Sequence, residues 1–191
     1  MADELQGRKV AILLAPVGTE QVEFVQPKGA VEEAGASVDV VGFQVGEAQT
    51  MNSDVNPGET FGVEKAFSEV SADDYDALIV PGGTVGADNL RGNPEAVEFV
   101  RAFFEQSKPV GVICHGPWTL VEADVVRGRT LTSYPTLQTD IRNAGGEWVD
   151  QEVVTDKGLV TSRNPDDLPA FCSKIVEEFA EGKHAEQSRS A

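Results

Sequence analysis

The sequence predicts an α/β fold in which helices cover both faces of a mainly parallel sheet. Three apolar runs, Arg8–Leu14, Asp76–Pro81 and Pro109–Cys114, are continuous rather than alternating, as in strands that are buried on both faces. Segments of helical character separate these runs along the chain. Because strands that alternate with helices form parallel sheets, we expect an α/β sandwich whose site lies beyond the carboxyl ends of the strands.

The first strand is followed by a loop with Gly18 and a helical segment that starts at Glu20. Pro27 is expected to interrupt this segment, and a second helical piece ends at Ala34. The next elements are a strand at Ser37–Gly42, a small strand pair with loops at 44–73, and helices at Pro94–Gln106 and Pro117–Val125. Short strands at Thr130–Ser133 and Gly146–Val149 then flank a helix near Leu137–Ala144. Val153–Thr155 and Leu159–Ser162 form a predicted hairpin.

The last predicted helix, from Asp166 to Ala180, carries its apolar residues on one face. Cys172 lies on that face and is therefore interpreted as a core residue. With 191 residues the chain is long enough to bury one sizeable core, so a single domain is expected over residues 1–181. Residues 182–191 are polar and are expected to form a flexible tail.

The composition argues against several classes of partner and cofactor. With 15 Lys and Arg against 32 Asp and Glu, the net charge of −17 disfavours nucleic acid and anionic membranes. No apolar run approaches the ~20 residues that span a bilayer, and the polar N-terminus does not resemble a signal peptide, so a cytoplasmic location is expected. No ligand-spaced His or Cys cluster and no GxGxxG motif occurs, which argues against zinc and dinucleotide cofactors.

The stretch VICHGPW, residues 112–118, places Cys114 at the end of an apolar strand and just before a predicted helix. A sharp turn there would push the side chain out of the sheet, as in the nucleophile elbow of hydrolases, and Gly116 would let the chain double back. The dipole of the following helix is expected to favour the thiolate. Cys114 is therefore a candidate nucleophile, although a buried structural cysteine is the alternative.

Two acidic residues and one histidine are candidate partners of the thiol. His115 is the only histidine of the predicted domain, and it either assists Cys114 or merely lines the pocket. Glu20 and Glu23 lie in the first turn of a helix, where capping is the simplest explanation. One of them could instead point at the sulfur, where it would be protonated and donate a hydrogen bond, but their spacing does not choose between them.

Gly82 and Gly83 follow the second buried strand directly. Glycines there expose backbone N–H groups, which together with the N–H of His115 could form an oxyanion hole. A simple tight turn explains the pair equally well.

These residues resemble the PfpI family of cysteine proteases and protein deglycases, within the wider ThiJ/PfpI superfamily. The resemblance runs from Val10 to Phe179. Its motifs are GTEQVEF at Gly18–Phe24, ALIVPGG at Ala77–Gly83, VICHGP at Val112–Pro117, VVRGRTLTSYP at Val125–Pro135, NAGGEWVD at Asn143–Asp150 and VTSRNPDDLPAF at Val160–Phe171. The resemblance implies a flavodoxin-like sandwich.

The same resemblance assigns roles to individual residues. It implies that Cys114 is the nucleophile with His115 beside it, that Glu23 contacts the sulfur, and that the backbone at Gly83 and His115 forms the oxyanion hole. Glu20 matches a second, usually acidic position nearby. In oligomeric members an acid from the neighbouring subunit orients the histidine, and Asp88 in GGTVGADNLR is the residue that matches it. A homodimer, or a trimer of dimers, is therefore expected.

The leading functional hypothesis is a stress-related cysteine hydrolase that acts on methylglyoxal or glyoxal adducts of proteins, or on the free aldehyde, without a cofactor. A peptidase that uses the same residues is a second hypothesis. A redox sensor without turnover, oxidised at Cys114, is the third. Class I glutamine amidotransferases are rejected, because they need a downstream histidine where this chain reads TSRNPDDLPAF.

Overall fold

A computed structural model describes residues 3–187 of the chain. The strands are β1 (Lys9–Leu14), β2 (Val17–Glu20), β3 (Ser37–Gly42), β4 (Gly46–Asn52), β5 (Asn56–Val63), β6 (Lys65–Ala66), β7 (Ala77–Val80), β8 (Val110–Ile113), β9 (Thr130–Leu131), β10 (Glu147–Trp148), β11 (Val154–Asp156) and β12 (Leu159–Ser162). The α-helices are α1 (Gln21–Glu33), α2 (Thr84–Arg91), α3 (Pro94–Glu105), α4 (Pro117–Glu122), α5 (Gln138–Asn143) and α6 (Leu168–Glu181).

The central sheet has the strand order β11-β12-β8-β7-β1-β3-β6. All its pairs are parallel except β11 with β12, which form the predicted hairpin. The chain moves from β1 to β3 on one side and later to β7 and β8 on the other, so the connections diverge beside β1. The loops that follow β1, β7 and β8 consequently meet at one edge of the sheet, which is where ligands bind in open parallel sheets.

Residues of β1 point alternately to two separate cores. Ala11 and Leu13 pack with apolar residues of α3, α4 and α5, whereas Val10, Ile12 and Leu14 pack with those of α1 and α6. A strand alternates in this way only when helices cover both faces of its sheet, which confirms the predicted sandwich. Cys172 packs, partly buried, against the core under α6.

The predicted strand pair within residues 44–73 is the antiparallel hairpin of β4 and β5, and β2 pairs with β4 to complete a small separate sheet. The hairpin turn contains Ser53 and Asp54, both with left-handed backbone (φ 53° and 62°). This backbone conformation is less favourable for residues that have a Cβ than for glycine, so contacts with other segments are expected to hold the turn in place.

Two local predictions between residues 20 and 93 need correction. Pro27 does not interrupt the first helix, because α1 continues through it with the ring buried, so only the one hydrogen bond that proline cannot donate is lost. Helix α2, which directly follows Gly83, is not among the predicted elements. Its Gly86 lies against the backbone of Gly18 and Thr19, where a Cβ would meet Thr19 N at 2.7 Å, so this weakly apolar helix packs by close backbone approach.

Residues 182–187 lie against the body of the protein. His184 donates its backbone N–H to the carbonyl of Ser107, and the carbonyl of Gln187 accepts a hydrogen bond of 2.6 Å from Arg129 Nη2. Arg129 is fully buried, stacks over Phe104, and also donates to the carbonyls of residues 125 and 156. The flexible tail over 182–191 remains a prediction, whose last four residues lie outside the described residues.

Among residues 3–187, none of the helices combines the length and the apolar character that crossing a bilayer requires.

Candidate active site around Cys114

Cys114 lies at a strained turn between β8 and α4, as predicted. Its backbone is left-handed, with φ 63°, and its carbonyl and N–H bond to Tyr134 N and Ser162 O at 2.8 and 3.0 Å. Gly116 closes the turn by donating to Ile113 O, and a Cβ at this glycine would meet Val112 Cγ1 at 2.7 Å. The surrounding backbone thus holds a conformation that cysteine alone would not adopt.

The thiol of Cys114 does not have the low pKa that the helix dipole predicts. Burial and the charge of Glu23 raise the pKa of Cys114 well above its usual range, while the backbone N–H groups of Gly83 and His115 oppose this shift. The prediction from the helix dipole is wrong. Helix α4 is only six residues long, so its dipole is weak, and burial of the sulfur beside a carboxyl group has the larger effect on the thiol pKa. These two N–H groups interact with the sulfur, and their role as an oxyanion hole stays a prediction.

Of the two acidic candidates, Glu23 is the one beside the sulfur. Its side chain is fully buried, and burial, together with the charges of Glu20 and Asp54, raises its pKa to about 8, although its interaction with Cys114 and the N–H of Gly82 partly oppose this. Gly82 N donates to Glu23 Oε2 at 2.9 Å, and Oε1 has no hydrogen-bond partner of matching geometry within the described chain. At neutral pH this carboxyl is therefore mainly protonated and has a proton to offer.

Glycine is required at both positions of the Gly82-Gly83 pair. A Cβ at Gly82 would collide with Glu23 Oε2 and would lie 2.6 Å from Cys114 Cβ. Gly83 has φ 86°, and a Cβ there would collide with Gly18 O and come within 2.5 Å of Glu20 N. The pair therefore lets the loop after β7 pass between the other two loops of the site.

Replacing Gly83 by alanine is expected to lower the free energy of unfolding by roughly 3 kcal/mol or more, because strain at positive φ adds to a backbone collision. Gly128→Ala is the matched control: φ is 72° there, but no atom lies within 4 Å of a Cβ, so a loss of about 1–2 kcal/mol is expected. Urea denaturation of both variants measures the difference. Equal losses would show that the close approach at Gly83 contributes nothing.

His115 contacts the thiol directly despite being its neighbour in sequence. Its Nδ1 lies 3.1 Å from Cys114 Sγ, and its Nε2 lies 3.3 Å from Thr84 Oγ1. The ring stacks on Tyr134, with centroids 4.6 Å apart, and meets the edge of Trp118. Burial lowers the pKa of His115, and the charge of Asp54 opposes this shift. A mainly neutral imidazole beside a thiol can accept its proton.

Glu20 does not point at the thiol but holds the β4–β5 turn. Its carboxylate accepts hydrogen bonds from the backbone N–H groups of Ser53 and Asp54, at 2.9 and 3.1 Å. Asp54 in turn accepts hydrogen bonds from Thr84 N and Thr84 Oγ1, at 2.7 and 3.0 Å. Sequence reasoning missed Asp54, which belongs to no motif, and Thr84, which lies in GGTVGADNLR but has no reactive side chain; the packing of the hairpin links both to His115.

A pocket of about 260 Å³ opens onto Cys114. The residues that line it come from several loops: Glu20, Glu23, Ser53, Asp54, Gly83, Cys114, Tyr134 and Pro165. The sulfur is therefore reachable from outside even though only 6% of the residue is exposed. Acidic side chains line the pocket beside apolar surface, so it can hold a small molecule that has both polar and apolar atoms.

Asp88 lies apart from this constellation. It is exposed on α2 and lines a different depression, together with Arg91 and Glu122, rather than the pocket at Cys114. Within one chain, therefore, the structure brings together Cys114, His115 and Glu23 but does not include Asp88. Its contribution across a subunit boundary stays a prediction.

One group of the described residues has the spacing of metal ligands, and it is remote in sequence from the pocket. His184 Nε2 lies 3.3 Å from Glu178 Oε2 and 4.0 Å from Glu181 Oε2. Burial raises the pKa of Glu178, and the charge of His184 opposes this shift. An ion pair between α6 and the segment after it accounts for this arrangement.

Comparison with known proteins agrees with this geometry. The model of the DJ-1/PfpI family matches residues 8–178. Protein/nucleic acid deglycase 2 of Escherichia coli is 43% identical over 166 residues, or 86% of this chain and 93% of the relative. YraA of Bacillus subtilis, named as a candidate cysteine protease, is 42% identical over 164 residues, which cover 86% and 94% of the two chains.

A solved structure supports the same family on the basis of its fold. The crystal structure of Drosophila melanogaster DJ-1beta superposes with a TM-score of 0.81 at 28% identity, covering 95% of this chain and 94% of that one. Fold, strand-end cysteine and sequence similarity over nearly the whole length therefore lead to one assignment: the chain belongs to the DJ-1/PfpI family.

Proposed function

We propose that the protein is a cysteine hydrolase that removes methylglyoxal or glyoxal from the early adducts these aldehydes form with protein side chains, and that it also accepts the free aldehydes. The observation that carries the proposal is the surroundings of one sulfur. Cys114 lies between a protonated carboxyl, a neutral imidazole and two backbone N–H groups, and it lines a small pocket. Relatives named as deglycases give independent support.

The first step is attack of Cys114 Sγ on the aldehyde-derived carbon. His115 Nδ1 takes the thiol proton, and the N–H groups of Gly83 and His115 stabilise the oxyanion that forms. An amine adduct has a saturated carbon, so it reverts before the attack: the proton of its hydroxyl passes to nitrogen as the C–N bond breaks, the amine leaves, and Cys114 Sγ attacks the aldehyde carbonyl that is restored. A hemithioacetal on Cys114 remains in either case, and the side chain of the modified protein is restored.

The second step turns this hemithioacetal into an acid without any external oxidant. A base removes the proton from the carbon that bears sulfur, and a proton is returned to the neighbouring carbonyl carbon. Glu23 and His115 are the groups close enough to the sulfur to carry it. The product is a thioester of lactate, or of glycolate from glyoxal, which water hydrolyses to the acid and free Cys114.

Pocket size favours this chemistry over peptide hydrolysis. A cavity of about 260 Å³ suits a two- or three-carbon carbonyl fragment, whereas ligand sites for larger molecules begin at about 300 Å³. The raised pKa of the thiol argues against the redox sensor, because oxidation by peroxide needs a thiolate in the resting protein, whereas a hydrolase can form it as substrate binds.

The test is to follow the products from a peptide freshly modified with methylglyoxal, in the presence of a chelator. We expect one lactate for each amine restored, and free methylglyoxal should give lactate as well. Unmodified peptide should stay intact. Amine release without lactate would contradict the proposed second step, and cleavage of the unmodified peptide would favour the peptidase instead.

A further inference from the structure

A chain of hydrogen bonds leads from the β4–β5 turn to the imidazole of His115. Asp54 Oδ2 lies 3.0 Å from Thr84 Oγ1, and Thr84 Oγ1 lies 3.3 Å from His115 Nε2. At the other side of the ring, Nδ1 lies 3.1 Å from Cys114 Sγ. All these groups belong to one chain, and the hairpin that supplies Asp54 is outside the central sheet.

Counting protons along this chain of contacts gives its direction. A hydroxyl has one proton, and a carboxylate can only accept, so Thr84 donates to Asp54. Thr84 Oγ1 must then accept from His115, which places the proton of the neutral ring on Nε2. Since a neutral imidazole carries one N–H, Nδ1 is left with its lone pair directed at the thiol of Cys114.

Further hydrogen bonds hold the turn that contains Asp54. Glu20 accepts both consecutive backbone N–H groups of the left-handed pair Ser53-Asp54, and Thr84 N gives Asp54 a second hydrogen bond. Strained backbone that the surroundings fix so completely is typical of functional positions. Tyr134 stacks on the ring of His115, so the ring has little freedom to turn.

We propose that Asp54 and Thr84 are positioning residues that select the Nε2–H tautomer of His115, so that the carboxylate orienting this histidine comes from the same chain. The inference rests on the proposed function only in taking His115 as the acceptor of the Cys114 proton. It gives Asp54 the role that the family resemblance assigned to Asp88 of a neighbouring subunit. Asp88 itself does not line the pocket at Cys114 within the protomer.

The tautomer can be read directly by NMR of the full-length protein labelled with ¹⁵N-histidine. The sequence has two histidines, so a His184→Gln sample assigns the signals. We expect Nε2–H for His115 in the wild type. Thr84→Val should give a mixture of tautomers, and Thr84→Ser should restore Nε2–H. In Asp54→Asn the amide can donate to Thr84, which then donates to Nε2 and drives the proton to Nδ1.

Turnover of the modified peptide should follow the tautomer. We expect kcat to fall by about 10–100-fold in Thr84→Val and Asp54→Asn with little change in KM, and Thr84→Ser to recover most of it. Asp73→Asn, exposed on the surface before β7, is the charge-matched control and should change neither readout.

Retention of Nε2–H in both Thr84→Val and Asp54→Asn would overturn the inference, as would a tautomer change produced by Asp88→Asn alone. The two proposals can fail separately. Tautomers that shift as expected in a protein without turnover would leave this inference standing and remove the proposed function. Normal turnover with an unchanged tautomer would do the reverse.

Discussion

Cys114→Ala is expected to reduce turnover of methylglyoxal-modified peptide by roughly 10³-fold or more, to the uncatalysed background. In the proposed mechanism Cys114 Sγ forms the covalent intermediate, and the residues that line the pocket include no second thiol. The measurement is the initial rate of lactate formation at saturating substrate under metal-free conditions. Because alanine keeps the Cβ, the elbow with φ 63° should be preserved and the variant should fold.

The second cysteine of the sequence supplies the matched control. Cys172 packs against the core under α6, and burial raises its pKa to about 11. Cys172→Ala should therefore keep the wild-type rate, with at most a modest loss of stability. Equal rates in wild type and Cys114→Ala would remove Cys114 from the mechanism, and inactivation by Cys172→Ala alone would place the chemistry elsewhere.

Glu23→Gln is expected to change both the stability profile and the rate. Burial raises the pKa of Glu23 from 4.5 to about 8, so the folded protein holds this proton more tightly than the unfolded chain does. The stability contributed by that proton is complete below the unfolded pKa and is lost as the pH rises through the folded pKa. Between those two values the free energy of unfolding should fall by about 1.4 kcal/mol per pH unit.

Glutamine cannot ionise, so the variant should match the wild type near pH 5 and exceed its stability by several kcal/mol near pH 8. Glutamine also cannot transfer a proton, and we expect kcat to fall by about 100-fold. Urea denaturation at a series of pH values gives the first result. Glu105→Gln, exposed at the end of α3, controls for the loss of one charge from a strongly acidic chain. A pH-independent difference between wild type and Glu23→Gln would contradict the raised pKa.

The central part of the site could be predicted because short segments specify it. Cys114 follows a continuous apolar strand and precedes a glycine, which is enough to place it at a strand-end elbow. Gly82-Gly83 follows a second such strand, and parallel strands bring their carboxyl ends to one edge. Strand and helix periodicity likewise gave the sandwich, since each apolar run is long enough to be buried on both faces.

What could not be predicted depends on contacts between distant segments. Asp54 is linked to His115 through Thr84 only because the β4–β5 hairpin folds back over the loop after β7. The hairpin sequence MNSDVNPG, residues 51–58, contains no pattern that predicts this contact. Spacing could not choose between Glu20 and Glu23, since the choice depends on which carboxyl the turn at residues 53–54 occupies. The predicted direction of the Cys114 pKa shift is wrong, because burial, which the sequence does not show, has a larger effect than the helix dipole.

The hydrogen bonds of buried Arg129 limit how far the C-terminal segment can be shortened. Its guanidinium has no carboxylate hydrogen-bonded to it in residues 3–187, and it is satisfied instead by carbonyls, one of which belongs to Gln187. Removing the chain after residue 183 would leave an interior cation short of one acceptor, at a cost of about 1–3 kcal/mol. Gln187 thus covers that cation, and a shortened protein would be less stable although every residue that lines the Cys114 pocket is still present.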